Sequence, residues 1–456
     1  MKAIPKRIRI PLITDIKEYR QLKKDAIGYF QNLVSKYGDV CYAPTNGIDS
    51  YYIHDPEVIK EVLITQSGKF KKSKYYRVMK KLLGEGLFTS EGDFHQRQRR
   101  LAAPAFHKER INGYSETMVQ CCLEEIESWK DGEIINVSQS MVNITLQVVA
   151  QTLFGTGIPK SEIVHISKVV TELLQAATKI FENPFHIFCL EKNIGTSVIK
   201  RFTTLKTDLD KVILNVISSY RNNTGNAQKD LLAMLMQSVD AETGAAMSDE
   251  QIRDEVMTMF LAGHETTATA LSWVWYLLGK HPDIKDTFYH EVKEKIGNRT
   301  PYANDYHSLD LAKNIFKESL RLYPPAWTLA REAVEDVQIQ DYHFPRGSVL
   351  LSILYIIHRK PEYFESPDEF IPHRWSDEST KDLPRFAYFP FGGGNRMCIG
   401  EGFAWMEAVM IMATIACRFH LHLPEGFTTE PDPGFTLHPK RDIKMKVNKI
   451  INMQVS

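Results

Sequence analysis

Residues 247–282 read MSDEQIRDEVMTMFLAGHETTATALSWVWYLLGKHP, and few folds accommodate such a segment. Ser248 followed by Gln251 predicts a capped helix start. Pro282 predicts the stop at His281, because the residue before proline avoids the α region. The helix between them is about 48 Å long at 1.5 Å per residue. Its middle is apolar on nearly every face, so it runs through a core. That same middle holds Gly263, which costs about 1 kcal/mol against Ala. Beside it stand Glu265, Thr266 and Thr267, and buried polar groups are expensive unless paired. The segment therefore tolerates a break and a polar cluster where a core helix normally avoids both.

The chain's 456 residues are enough for one very large domain or two to three ordinary ones. Short β-like runs fall at Val40–Ala43, Ser50–His54, Val337–Ile339 and Val349–Ile353, and most of the rest reads as helix. The fold class is mainly α with small β-sheets. The polar stretch 220–230 reads as a surface loop. Lys+Arg and Asp+Glu are equal at 56 each, which argues against a nucleic-acid partner. Six cysteines occur without a CxxC pair, so structural zinc is not expected. The opening MKAIPKRIRIPLITDIKEY is basic and mixed, with no signal peptide and no transmembrane anchor. A cytoplasmic setting is the expectation.

Residues 391–400 read FGGGNRMCIG. As a phosphate cradle the stretch fails: GxGxxG needs glycine where Met397 stands, and no GK[ST] ending follows. A redox thiol lacks a second cysteine nearby. A merely buried thiol leaves the glycines unexplained. Glycines let backbone approach a neighbour closely. The apolar stretch that follows predicts a buried helix, whose N-terminus favours a thiolate just ahead of it. These features suit a thiolate metal ligand approached by a large flat group.

The stretch matches F-G-x-G-x-R-x-C-x-G at every fixed position, and so resembles the haem-binding loop of the cytochrome P450 haem-thiolate monooxygenases. Thiolate ligation of the haem iron is that family's established property. AGHETT resembles the family's acid–alcohol segment. ESLR matches E-x-x-R at Glu318 and Arg321, and FIPHRW resembles the region supplying a second arginine, Arg374. HExxH is excluded, since Ala268 stands where its second histidine belongs. Locally, Glu318 and Arg321 read first as an ordinary helix surface pair; the resemblance implies instead a buried network with Arg374. The order and spacing agree from about residue 25 onward, which implies one P450 domain over residues 1–456 with a peripheral start (about 1–24).

The resemblance further implies haem b with Cys398 as its metal ligand, and O2 as co-substrate. Phe391, Gly392 and Gly400 form the loop around the haem. His95, Arg99, Arg331 and Arg396 are implied to hold the propionates; arginine's fork suits carboxylates. Glu265 and Thr266 take the catalytic, proton-supplying roles, with the Thr266 hydroxyl able to bond the Ala262 carbonyl and bend or open the helix. Gly263 leaves room for oxygen. Met259, Ala262, Gly263 and Trp327 are candidate pocket residues, within pocket ranges near 75–88, 171–188, 326–329 and 435–437, for a small apolar substrate. No flavin or iron–sulfur motif is present. Electrons are therefore implied to come from ferredoxin or flavodoxin with its reductase, with NAD(P)H acting only indirectly, on a monomer. The basic stretch 69–81 reads as a solvated face. A peroxide-driven peroxygenase or a non-catalytic haem sensor are the alternatives.

Overall fold

The computed structural model describes residues 21–44, 48–155, 160–181, 183–192, 194–222, 230–376 and 380–450. The chain opening, and most of the polar loop expected at 220–230, lie outside them. The chain folds as two compact units.

One unit comprises Met1–Tyr75, Lys313–Cys398 and Thr429–Arg441. Its centre is a five-stranded sheet in the order Val40–Tyr42, Ser50–Ile53, Val349–Ile353, Thr328–Ala333, Phe70–Lys72. Ser50–Ile53 and Val349–Ile353 run parallel, with Tyr51 opposite Leu350; the other pairs are antiparallel. The expected strands are thus present within a residue of their limits. The helix Ala26–Tyr37 starts where Asp25 accepts the Gly28 N–H and buries Ile27, Tyr29, Phe30 and Leu33. Phe30 meets Tyr52 and Trp327 at ring distances of 5.3 and 6.2 Å. Part of the basic stretch is consumed here: Lys69 pairs with Glu335 and Lys71 with Glu332.

The other unit comprises Tyr76–Ala312, Ile399–Thr428 and Asp442–Ser456. Its axis is the helix Asp249–Lys280. The capping box of Ser248 and Gln251 is formed, and His281 ends the helix. It packs along Val137–Phe154. A Cβ on Gly263 would stand 2.9 Å from Val149 Cγ2, so the close approach of these two helices is what the glycine serves. The helix Glu401–Ala416 is almost wholly buried and packs on Lys108–Ile126. Ser197–Asn222 packs on Lys160–Phe181. A three-stranded antiparallel sheet of Ile134–Asn136, Lys444–Lys449 and Phe419–His422 completes the unit. Among the described residues, no helix is long and apolar enough to cross a membrane.

Candidate active site

Five of the six cysteines are buried, and Cys398 is exposed. The loop that carries it is held by its own backbone. The Cys398 N–H donates to the Phe391 carbonyl at 2.9 Å, and Gly392 N–H to the Phe389 carbonyl at 2.9 Å. Gly392 and Gly394 have φ of 74° and 68°, a region that only glycine enters without strain. A side chain on Gly394 would run into the Leu63 carbonyl, and one on Gly393 would stand 2.5 Å from the Phe386 ring. The glycines therefore press the loop onto its own unit, while Cys398 stays exposed. Phe391 is half-buried, and Gly400 forms the N-cap of the helix Glu401–Ala416.

In the other unit, the long helix carries the residues of the implied acid–alcohol segment. From residue 254 to 278 every position is buried except Met259, Ala262, Gly263, Glu265 and Thr266. Met259, Ala262, Gly263 and Thr266 follow i, i+3, i+4, i+7 spacing, which is one face of a helix. An accessible stripe thus runs through an otherwise buried element. The helix does not open there; it is α throughout. Its polar groups are absorbed locally instead. Thr266 Oγ1 donates to the Ala262 carbonyl at 2.7 Å, and Thr145 Oγ1, from the neighbouring helix, donates to the His264 carbonyl at 3.0 Å. Such back-bonding satisfies a hydroxyl without breaking the ladder. His264 is buried, its Nδ1 lies 3.0 Å from the Phe260 carbonyl, and burial lowers its basicity.

The implied propionate ligands fall on two elements and a loop. His95 and Arg99 are i,i+4 neighbours on the helix Gly92–Ala102, the first buried and the second half-buried. Arg331 is buried in the strand Thr328–Ala333, with Nη1 donating to the Ala330 carbonyl at 3.0 Å. Arg396 is half-buried in the cysteine loop. Trp327 is 9% exposed, packs on Phe30 and donates its indole N–H to the Gly434 carbonyl at 3.1 Å, so the structure puts it in the sheet-side core.

Glu318 and Arg321 are fully buried, which removes the surface-pair reading. Arg321 donates to both carboxylate oxygens, at 2.9 and 2.8 Å. Arg374 Nε and the Ile371 N–H both reach Oε1 at 3.0 Å. Trp375 Nε1 donates to Oε2 at 2.8 Å, a partner that sequence reasoning missed. Its position beside Arg374 was the available signal. The network leads to the cysteine loop. Arg321 Nη1 donates to the His358 carbonyl at 3.0 Å, and His358 Nε2 accepts the Phe389 N–H at 3.0 Å. Burial and the neighbouring Arg321 and Arg359 push the His358 pKa down to about 3, which keeps Nε2 an acceptor.

Glu407 was also missed. It is fully buried in the helix Glu401–Ala416. Neither carboxyl oxygen has a hydrogen bond of normal geometry; the Thr267 hydroxyl gives partial relief, and burial raises its pKa well above the carboxyl range. An acid in the apolar middle of the helix sequence was its signal.

Within one unit, an exposed thiol on a glycine-pressed loop, with a buried Arg331 and a half-buried Arg396, fits an anionic group with a thiolate-seeking metal; His95 and Arg99 belong to the other unit. The cytochrome P450 family model matches residues 4–447. Cyclooctatin synthase of Streptomyces melanosporofaciens is 35% identical over 382 residues, covering 84% of this chain and 83% of its own. Cyclooctat-9-en-7-ol 5-monooxygenase of the same organism is 32% identical over 404 residues, covering 88% and 84%. The crystal structure of the cytochrome P450DA haem domain superposes with a TM-score of 0.88 at 25% identity, over 98% of each chain.

Proposed function

The chain belongs to the cytochrome P450 family and is a haem-dependent monooxygenase, and from that premise we propose that it oxidises a cyclic terpenoid at a C–H or C=C bond. The observation that carries this reading is the accessible stripe of Met259, Ala262, Gly263 and Thr266 in a buried helix. It offers an apolar surface beside one hydroxyl and one carboxyl. A compact hydrocarbon suits such a wall. A relative 32% identical is named as a monooxygenase of cyclooctat-9-en-7-ol, which favours this class over a fatty acid. Electrons come from a separate redox partner, in our reading a ferredoxin or flavodoxin with its reductase, serving a cytoplasmic monomer.

Cys398 Sγ would hold the haem iron, on a loop that its backbone hydrogen bonds preorganise. His95, Arg99, Arg331 and Arg396 would supply the cationic groups for the two propionates. When bound, the haem supplies reductive activation of O2, promoted by thiolate donation. The chain's own task is proton supply. Thr266 Oγ1 donates to Ala262 O, so its lone pairs remain to accept a hydrogen bond from water; rotation about Cβ–Oγ lets the hydroxyl give up its own proton in the opposite direction as it takes one from that water. Glu265, half-buried on the same turn, exchanges that proton with solvent.

Reduced protein treated with carbon monoxide should show the red-shifted Soret band of thiolate-bound haem, and Cys398→Ala should lose it. Thr266→Ala should still consume electrons but yield less product and more hydrogen peroxide, with a change within the roughly 10²–10⁴-fold range of positioned acid–base groups. Unchanged coupling in a peroxide-corrected product assay defeats the Thr266 role.

A further inference from the structure

The accessible stripe ends, toward the helix N-terminus, at Glu255. Glu255 lies four residues before Met259 and eleven before Thr266, close to whole turns at 3.6 residues each, so it belongs to the same face. Unlike the others it is fully buried. What covers it is the irregular segment 84–90, which the first turns of the helix hold by its backbone. The Leu87 N–H donates to Glu255 Oε2 at 3.0 Å, and the Glu85 N–H to Asp254 Oδ2 at 2.7 Å. Gly86 makes the approach possible: a Cβ there would collide with Thr258 Oγ1 and come within 2.6 Å of the Asp254 carbonyl. Thr89 Oγ1 ties the segment back on itself through the Gly84 carbonyl at 2.6 Å. Asp254 is braced by Arg253 at 3.0 Å, and Arg253 by Asp210 at 3.2 Å. Leu87 and Phe88 remain half-buried, with Phe88 set edge-on to Tyr76 at 5.5 Å.

We propose that Glu255 is a positioning residue for substrate selection: through the Leu87 N–H it holds segment 84–90 across the end of the stripe, so that Leu87 and Phe88 form an end wall for an apolar ligand. The proposal rests on the monooxygenase reading above. Glu255 touches neither ligand nor cofactor; it acts through the loop. A hydrogen bond between elements 168 positions apart and a glycine shaped to the helix are two independent marks of one clamp.

The holoenzyme is titrated with two haem-ligating probes, imidazole and the longer 4-phenylimidazole, following the Soret shift. Glu255→Leu removes the acceptor. Gly86→Ala pushes the segment off the helix without touching Glu255. Glu255→Gln keeps an acceptor oxygen. In the first two variants 4-phenylimidazole should weaken by roughly 2–10-fold, the range of one buried hydrogen bond, while imidazole binding and the carbon monoxide band stay unchanged. Glu255→Gln should restore wild-type discrimination. Equal loss for both probes marks a merely structural role and overturns the proposal, as does unchanged 4-phenylimidazole affinity. If Glu255→Leu does not fold, Gly86→Ala decides alone. A wild-type protein that gives no Soret response to imidazole overturns the haem reading itself.

Discussion

Glu318 and Glu407 are both fully buried glutamates, in circumstances that could hardly differ more. Glu318 accepts hydrogen bonds from Arg321, Arg374, Trp375 and the Ile371 N–H. Glu407 accepts none of normal geometry. Glu255 stands between them, with one donor, Leu87, and a pKa raised to about 8 by burial, offset by that bond and increased by Asp254. Burial alone does not tell what a carboxyl does for a protein. The number of donors around it decides whether it is a structural anchor or a neutral acid held at a cost.

The largest test of this contrast is Glu318→Ala. It leaves the Arg321 and Arg374 guanidinium groups without their carboxylate, and breaking a buried pair from one side costs about 3–5 kcal/mol. The variant should melt well below wild type and retain little haem, since the same arginine reaches the cysteine loop through His358. Normal melting and haem content would show that the network is not an anchor.

Glu255 gives the next largest effect, and its sign is fixed by linkage. Its pKa is raised on folding from 4.5 to about 8. Its contribution is therefore fully present below the unfolded value and is lost as pH rises toward and through the folded one. Between about pH 5.5 and 7.5 wild-type stability should fall by roughly 2–3 kcal/mol more than that of Glu255→Gln, at about 1.4 kcal/mol per unit. Parallel denaturation profiles for the two proteins over that window would refute the buried, proton-holding state.

Glu407→Met is the smallest test and the one with reversed sign. It replaces an under-bonded acid by an apolar side chain of similar length. The melting temperature should hold or rise, with a gain of up to about 1 kcal/mol, because removing an unsatisfied polar group is near neutral or stabilising. A loss as large as that of Glu318→Ala would mean that Glu407 has partners the described residues do not display.

Much of the candidate site was legible because its signals are local. Glycines at 392 and 394 match the positive φ found there, and the E-x-x-R spacing matches the ion pair between Glu318 and Arg321. Thr266 does bond Ala262, four residues back. Less legible was Gly263, whose reading as room for oxygen is joined by a packing reason, Val149. The helix also stays closed where an opening was expected, and Thr145, from another element, donates its hydroxyl to the His264 carbonyl. Trp327 was read as pocket, and its indole N–H donates to the Gly434 carbonyl, a contact the linear reading did not contain.

By itself the sequence determined where the long helix begins and ends, which cysteine stands on a glycine-rich loop, and to which family the chain compares. Capping boxes, pre-proline stops and glycine turns involve residues within a few positions of one another, so a linear reading captures them. Only the tertiary structure decided which turn faces of the long helix are accessible, that Glu318 has a tryptophan donor 57 positions away, and that Leu87 rests on Glu255 across 168. Those pairings arise when distant segments compete for the same buried space, and no periodicity within either segment encodes the outcome.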